Sequence, residues 1–209
     1  MPKISRSRAS EVIKSAHYLE WSEKLNDFDY GKMPTTNLWI VGIDKFMAGD
    51  IKEVRSYSGE ALLIRIEDDG THVVEYGPFP WSTHPGQLTT NASGTPDVNK
   101  DGKKDIGWTI EHNVYPLQTR PTTNGRYNPT VKWQPVLRDT LHKGDIAAMP
   151  QKLMQADYVQ LHVGGSKRPS SVGCWTVPPL EYAKLQKAIA DVRKRYNTQT
   201  MNLIFTYDE

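Results

Sequence analysis

Between Gly77 and Asn128, proline, glycine, threonine and asparagine recur so densely that no long helix or strand fits there. A fold for these 209 residues must therefore be assembled from short elements on either side. The flanks supply β-rich runs: "NLWIVGI" from Asn37, "ALLIRIED" from Ala61 and "THVVEYG" from Thr71, the last two separated by "DDG" and reading as a hairpin. Within the irregular stretch, "IGWTIEHNVYPL" supplies at most one strand. Beyond it, "ADYVQLHV" reads as a buried strand and "MNLIFTY" as a closing one. Two segments are helical by period. Val12, Ile13, Ala16 and Leu19 predict a helix over 10–25 with Ser10 as N-cap. Tyr182, Leu185, Ile189, Val192 and Tyr196, spaced 3, 4, 3, 4, predict a second that starts after Pro178 and Pro179 and stops near Asn197. The expected class is mainly β (α+β): a helical segment over 1–34, then a β-rich domain over 35–209 closed by a helix and a strand.

Lysine and arginine total 26 against 24 acidic residues, so the net charge of +2 points to neither nucleic acid nor an anionic membrane as partner. Glu11, Lys14 and His17 interrupt any apolar run near the N-terminus. The expectation is a chain made in the cytoplasm without a signal peptide, with no stable membrane insertion. One cysteine cannot form an internal disulfide, so Cys174 is either a small buried hydrophobe or a thiol with chemistry to do.

The surroundings of Cys174 favour chemistry. In "LHVGGSKRPSSVGCWTV", His162 ends a strand, a loop of small residues follows, and Cys174 sits after Ser171 and Gly173. A thiol needs a base to become a nucleophile, and a loop of this length returns the chain beside the strand end. Gly173 permits a tight turn in which amide N–H groups near Cys174 would meet an oxyanion. The stretch resembles the catalytic segment of the L,D-transpeptidase family, in which a histidine on a strand precedes S-x-G-C; the matching positions are His162, Ser171, Gly173 and Cys174. The chain departs from the family in having Val163 directly after the histidine, Thr176 where the family has arginine, and a short histidine-to-cysteine spacing.

The resemblance implies a β-rich catalytic domain acting on peptidoglycan stem peptides through an acyl-cysteine intermediate, with His162 as base. Ser171, Gly164 and Gly165 would place the imidazole, Arg168 would replace the absent arginine, and Trp175 would contact substrate. Shortened motifs of this kind are similar to those of phage-encoded and secreted antibacterial proteins, implying action on the cell wall after release or delivery. Two readings compete. One is a non-catalytic, calcium-stabilised wall-binding or phage structural protein; the other is a zinc amidase with Cys174 and His162 as metal ligands.

A second constellation lies in "DVNKDGKKDIG". Asp97, Asn99, Asp101 and Asp105 offer side-chain oxygens, Lys103 its main-chain carbonyl, and Gly102 stands where a calcium loop turns sharply. The twelfth position, which an EF-hand fills with glutamate, is Trp108. The loop over 97–105 resembles instead the shorter loops of integrin-type and thrombospondin-type repeats, so structural Ca²⁺ is expected. His72, His84, His112 and His142 lack the spacing of a zinc site, and Trp81, Trp108 and Trp133 are read, with Trp175, as core or groove walls.

Overall fold

The computed structural model describes residues 3–45, 57–86, 89–91, 93–139, 151–157, 159–169, 171 and 173–208. In chain order the elements are α1 (Arg6–Lys14), β1 (Leu19–Ser22), β2 (Asp27–Tyr30), β3 (Leu38–Lys45), β4 (Gly59–Ile66), β5 (His72–Trp81), β6 (Thr89–Thr90), β7 (Lys104–Asp105), β8 (Gly107–Trp108) and β9 (Tyr115–Gln118). They continue with β10 (Gln134–Asp139), β11 (Gln151–Ala156), β12 (Leu161–Val163), β13 (Trp175–Val177), α2 (Pro179–Tyr196) and β14 (Thr200–Asp208). The chain is mainly β.

The organising unit is a five-stranded sheet in the order β5-β4-β3-β14-β9, antiparallel except where β14 runs parallel to β3. Its central strand is buried on both faces, which is why "LWIVGI" reads as a continuous apolar run. Alternation divides that run. Leu38 and Ile40 join one core with Leu203, Phe205 and the α2 stripe Tyr182, Leu185, Ile189 and Val192, whereas Trp39, Val41 and Ile43 join another with Ile4, Ala9 and Val12 beside α1. The N-terminal segment thus packs against the sheet.

α2 follows its predicted bounds, with Pro at its first position and Asn197 left-handed at its end. α1 does not. It is capped by Ser5, whose Oγ accepts from Arg8 N at 3.1 Å, and ends at Lys14. Leu19, predicted helical, opens an antiparallel hairpin in which Trp21 packs edge-on against Phe28. "IGWTIEHNVYPL" divides between β8 and β9, which lie in different sheets. "ADYVQLHV" also divides: Ala156 closes β11 and Leu161 opens β12, while Tyr158 lies outside the described residues.

Candidate active site

The site grows from a two-stranded parallel ladder. β12 pairs with β13 in the register Leu161↔Trp175, His162↔Thr176 and Val163↔Val177, and Trp175 N donates to Gln160 O at 3.1 Å. Leu161 and Trp175 are completely buried in the core. Alternation turns His162, and Cys174 just before β13, to the other face. Two rises along the strand and one step across it set their backbones about 8 Å apart, within reach of facing side chains. At Cys174 the chain sits in a tight turn: Gly173 has φ +132°, and a Cβ there would lie 2.5 Å from Gly107 O. That position requires glycine.

Ser171 builds this turn, and in doing so departs from its expected role. Its Oγ donates to Cys174 O at 2.8 Å and accepts from Cys174 N at 3.0 Å and Gly173 N at 3.3 Å. Ser171 therefore holds the cysteine rather than the imidazole. The two amides expected to bind an oxyanion are directed at Ser171 Oγ.

The imidazole of His162 has its Nδ1 2.6 Å from Val163 O. A carbonyl only accepts, so Nδ1 carries the proton and Nε2 is the basic nitrogen. Burial lowers the His162 pKa below its ordinary value, against the stabilising Val163 carbonyl, and the charge of Arg126 lowers it further. Cys174 moves the opposite way. Burial raises its pKa, while Gln160 N–H, 3.4 Å from Sγ, and Arg126 work to lower it. At neutral pH Cys174 is a neutral thiol and His162 a neutral imidazole, and neither group is among the causes of the other's shift. Arg126, whose Nη1 donates to Gln160 Oε1 at 3.3 Å, is the cation that acts on both groups.

Cys174, half-buried, opens on a cavity of about 570 Å³. Its walls come from Ser93 to Pro96, from Trp133, Val136 and Arg138, and from Met154 to Asp157 with Val159. His162 is not among the residues lining that cavity. The remaining predicted contacts are distributed differently. Trp175 is completely buried, edge-on to Tyr115 at 4.8 Å, and is a core residue rather than a substrate contact. Arg168 is exposed and absent from the cavity wall; its carbonyl accepts from Tyr57 Oη at 3.4 Å. Gly164 leaves room for Tyr57, since a Cβ there would lie 2.1 Å from the phenol oxygen, and Gly165 O accepts from that hydroxyl at 2.8 Å. Burial pushes the Tyr57 phenol up to about 12.

Among the aromatic residues, Trp81 and Trp108 are core and Trp133 lines the cavity. His84 is buried, stacked on Tyr207, with Nε2 3.0 Å from Lys45 O. His72 Nδ1 meets Ser10 Oγ at 2.8 Å, His112 Nδ1 meets Ser15 Oγ at 2.6 Å, and His142 lies outside the described residues. Sequence reasoning passed over Arg138 and Arg126, because neither stands near the motif in the chain. Among the described residues, no three His, Cys, Asp or Glu side chains gather as a metal set, so the zinc reading lacks a third ligand there.

The 97–105 loop is wound by its own side chains. Asp97 Oδ1 accepts from Asp101 N at 3.1 Å and its Oδ2 from Gly102 N at 2.9 Å; Asp101 N also donates to Asn99 Oδ1 at 3.2 Å. Lys103 N donates to Asp101 Oδ1 at 2.9 Å, and Asp105 Oδ2 accepts from Val98 N at 2.7 Å. Gly102 has φ +85°, as a sharp turn needs. The donor set is all oxygen, the chemistry a hard cation takes, but Asp97, Asp101 and Asp105 do not converge as a three-carboxylate metal group among the described residues.

The comparisons with known proteins come out uniformly. No family model, curated protein or solved structure matches this chain.

Proposed function

We infer that this protein is a cysteine-dependent enzyme of peptidoglycan stem peptides, with Cys174 as nucleophile and His162 as general base. The observation that carries this reading is the β12–β13 pairing, which sets the two residues on one face while Cys174 opens on a peptide-sized cavity. His162 Nε2 takes the thiol proton as Sγ attacks the carbonyl of the third stem residue. The same nitrogen then protonates the departing amine, leaving an acyl-cysteine. Water as acceptor makes the reaction hydrolysis; a stem amine makes it transpeptidation. The L,D-transpeptidase-like fold belongs to the same reading, as does action on the cell wall after release or delivery by a phage lysis enzyme or antibacterial effector.

Incubating purified sacculi with wild type and Cys174→Ala, and identifying released fragments by mass spectrometry, tests this. Muropeptide release should fall by about a thousandfold or more in the variant, with an unchanged circular dichroism spectrum. Equal release would remove Cys174 from the chemistry.

The loop over 97–105 would hold one structural Ca²⁺ through Asp97, Asn99, Asp101, Asp105 and the Lys103 carbonyl. When bound, the ion neutralises the loop carboxylates and fixes the irregular segment beside the cavity. Calcium at about ten times its Kd should stabilise the fold by about 1.4 kcal/mol, read as a rise in Tm that Asp97→Asn abolishes. A Tm indifferent to calcium at about 10 mM would exclude the site.

A further inference from the structure

Arg138 stands where a guanidinium is expensive to keep. It is 6% exposed and lines the Cys174 cavity. Its Nη1 donates to Asp105 O at 2.8 Å, but Nε has no hydrogen-bond partner among the described residues. Asp105 and Asp157 hold its charge against burial, and arginine does not deprotonate in any case. A desolvated cation with a donor left over costs free energy unless a ligand completes it. The walls around it mix apolar Trp133, Val136, Met154 and Val159 with polar Ser93, Thr95, Gln155 and Asp157. On the same face of β10, Gln134 is also fully buried, with neither amide atom partnered among the described residues. Asp157, exposed at the same cavity, acts on Arg138 through charge alone, and the Arg138 Nε–H stays unpaired among the described residues.

The planar fork of arginine matches a carboxylate better than any other anion a peptide carries. We propose that Arg138 is the carboxylate anchor of the Cys174 cavity, and that the substrate is a peptide whose free C-terminal carboxylate lies one residue beyond the bond attacked. This deepens the reading of Cys174 as nucleophile, and rests on it. It selects a carboxypeptidase, releasing a single terminal amino acid, over cleavage within a cross-link, where that carboxylate is absent. It also moves the anchoring role from Arg168 on the connecting loop to a rigid strand.

Two measurements separate the anchor from the chemistry. In the first, wild type, Arg138→Lys and Arg138→Gln are given a stem tetrapeptide with a free terminal carboxylate and its C-terminal amide. Wild type should prefer the carboxylate about ten- to a hundredfold in kcat/KM, the worth of one charge-assisted contact; Arg138→Gln should lose the preference and Arg138→Lys keep part of it. In the second, Cys174 is alkylated with iodoacetate and iodoacetamide, which needs no turnover. The iodoacetate-to-iodoacetamide rate ratio should exceed that of glutathione in wild type, and fall in Arg138→Gln. A wild-type ratio no higher than that of glutathione overturns the anchor without depending on whether any variant folds. A high ratio with no turnover of either peptide supports the anchor and overturns the proposed function instead. Equal turnover of acid and amide overturns the carboxypeptidase assignment.

Discussion

At the scale of single residues, the chemistry is set by burial more than by neighbouring charge. Desolvation moves the His162 pKa down and the Cys174 pKa up, so in the proposed reaction proton transfer must accompany attack, with no resting thiolate to draw on. The acid limb of kcat/KM should therefore fall below pH 6.5, where His162 becomes protonated and ceases to be a base. Arg126→Gln removes a positive charge that opposes protonation of both groups, so both pKa values rise and the limb shifts toward higher pH. Arg126 is exposed, so the shift should shrink in high salt. A pH–rate profile in wild type and variant reads this directly; a wild-type limb above 6.5, or one unmoved by the substitution, contradicts the assignment of His162 as base. The proposed pair, Cys174 and His162, was visible in the chain because the two residues flank one short loop. Arg138 was not, because only the β10–β8 pairing Arg138↔Gly107 carries it to that cavity.

At the scale of elements, close packing of the central sheet supplies the sharpest constraint. Gly42 lies in β3 under Trp81: a Cβ there would sit 1.6 Å from a ring carbon, and Trp81 Nε1 donates to Ile43 O at 3.0 Å. The indole can move only by giving up that hydrogen bond and its packing against Phe205. Gly42→Ala should cost about 3 kcal/mol in urea unfolding, the upper end of the usual overpacking penalty. A cost within about 0.5 kcal/mol, the range of an ordinary surface substitution, would show that Trp81 is not fixed there. Elements whose period is set by one core face were legible: α2 matches its stripe and β3 its apolar run. α1 was displaced because Val12, Ile13 and Ala16 set a helical period that Leu19 extends by spacing, whereas Leu19 pairs with Tyr30 across a hairpin. Pairing of this kind overrides a local pattern, and the same cause splits "ADYVQLHV" into two strands of different sheets.

At the scale of the molecule, the N-terminal helix is tied to the sheet through histidines as well as through its apolar face. His72 on β5 meets Ser10, its charged form disfavoured by burial first and then by Lys14 and Arg6; His112 meets Ser15; and His17, just past the helix, is held down by burial and by His112. His17, His72 and His162 all have pKa values below their ordinary 6.5. Unfolding therefore takes up protons near that pH, and the sign of the linkage follows. Stability from these groups is complete above 6.5 and is lost as pH falls through their folded-state values, because the unfolded chain binds protons the native one resists. Urea midpoints measured from about pH 8 down to about pH 5 should be level at first and then decline once pH drops below 6.5, well before carboxylates titrate. His72→Gln removes one protonation site while leaving a polar partner for Ser10, so its decline should be shallower. Midpoints that hold steady or rise between pH 6.5 and 5 would mean that α1 is bound to the sheet by its apolar face alone.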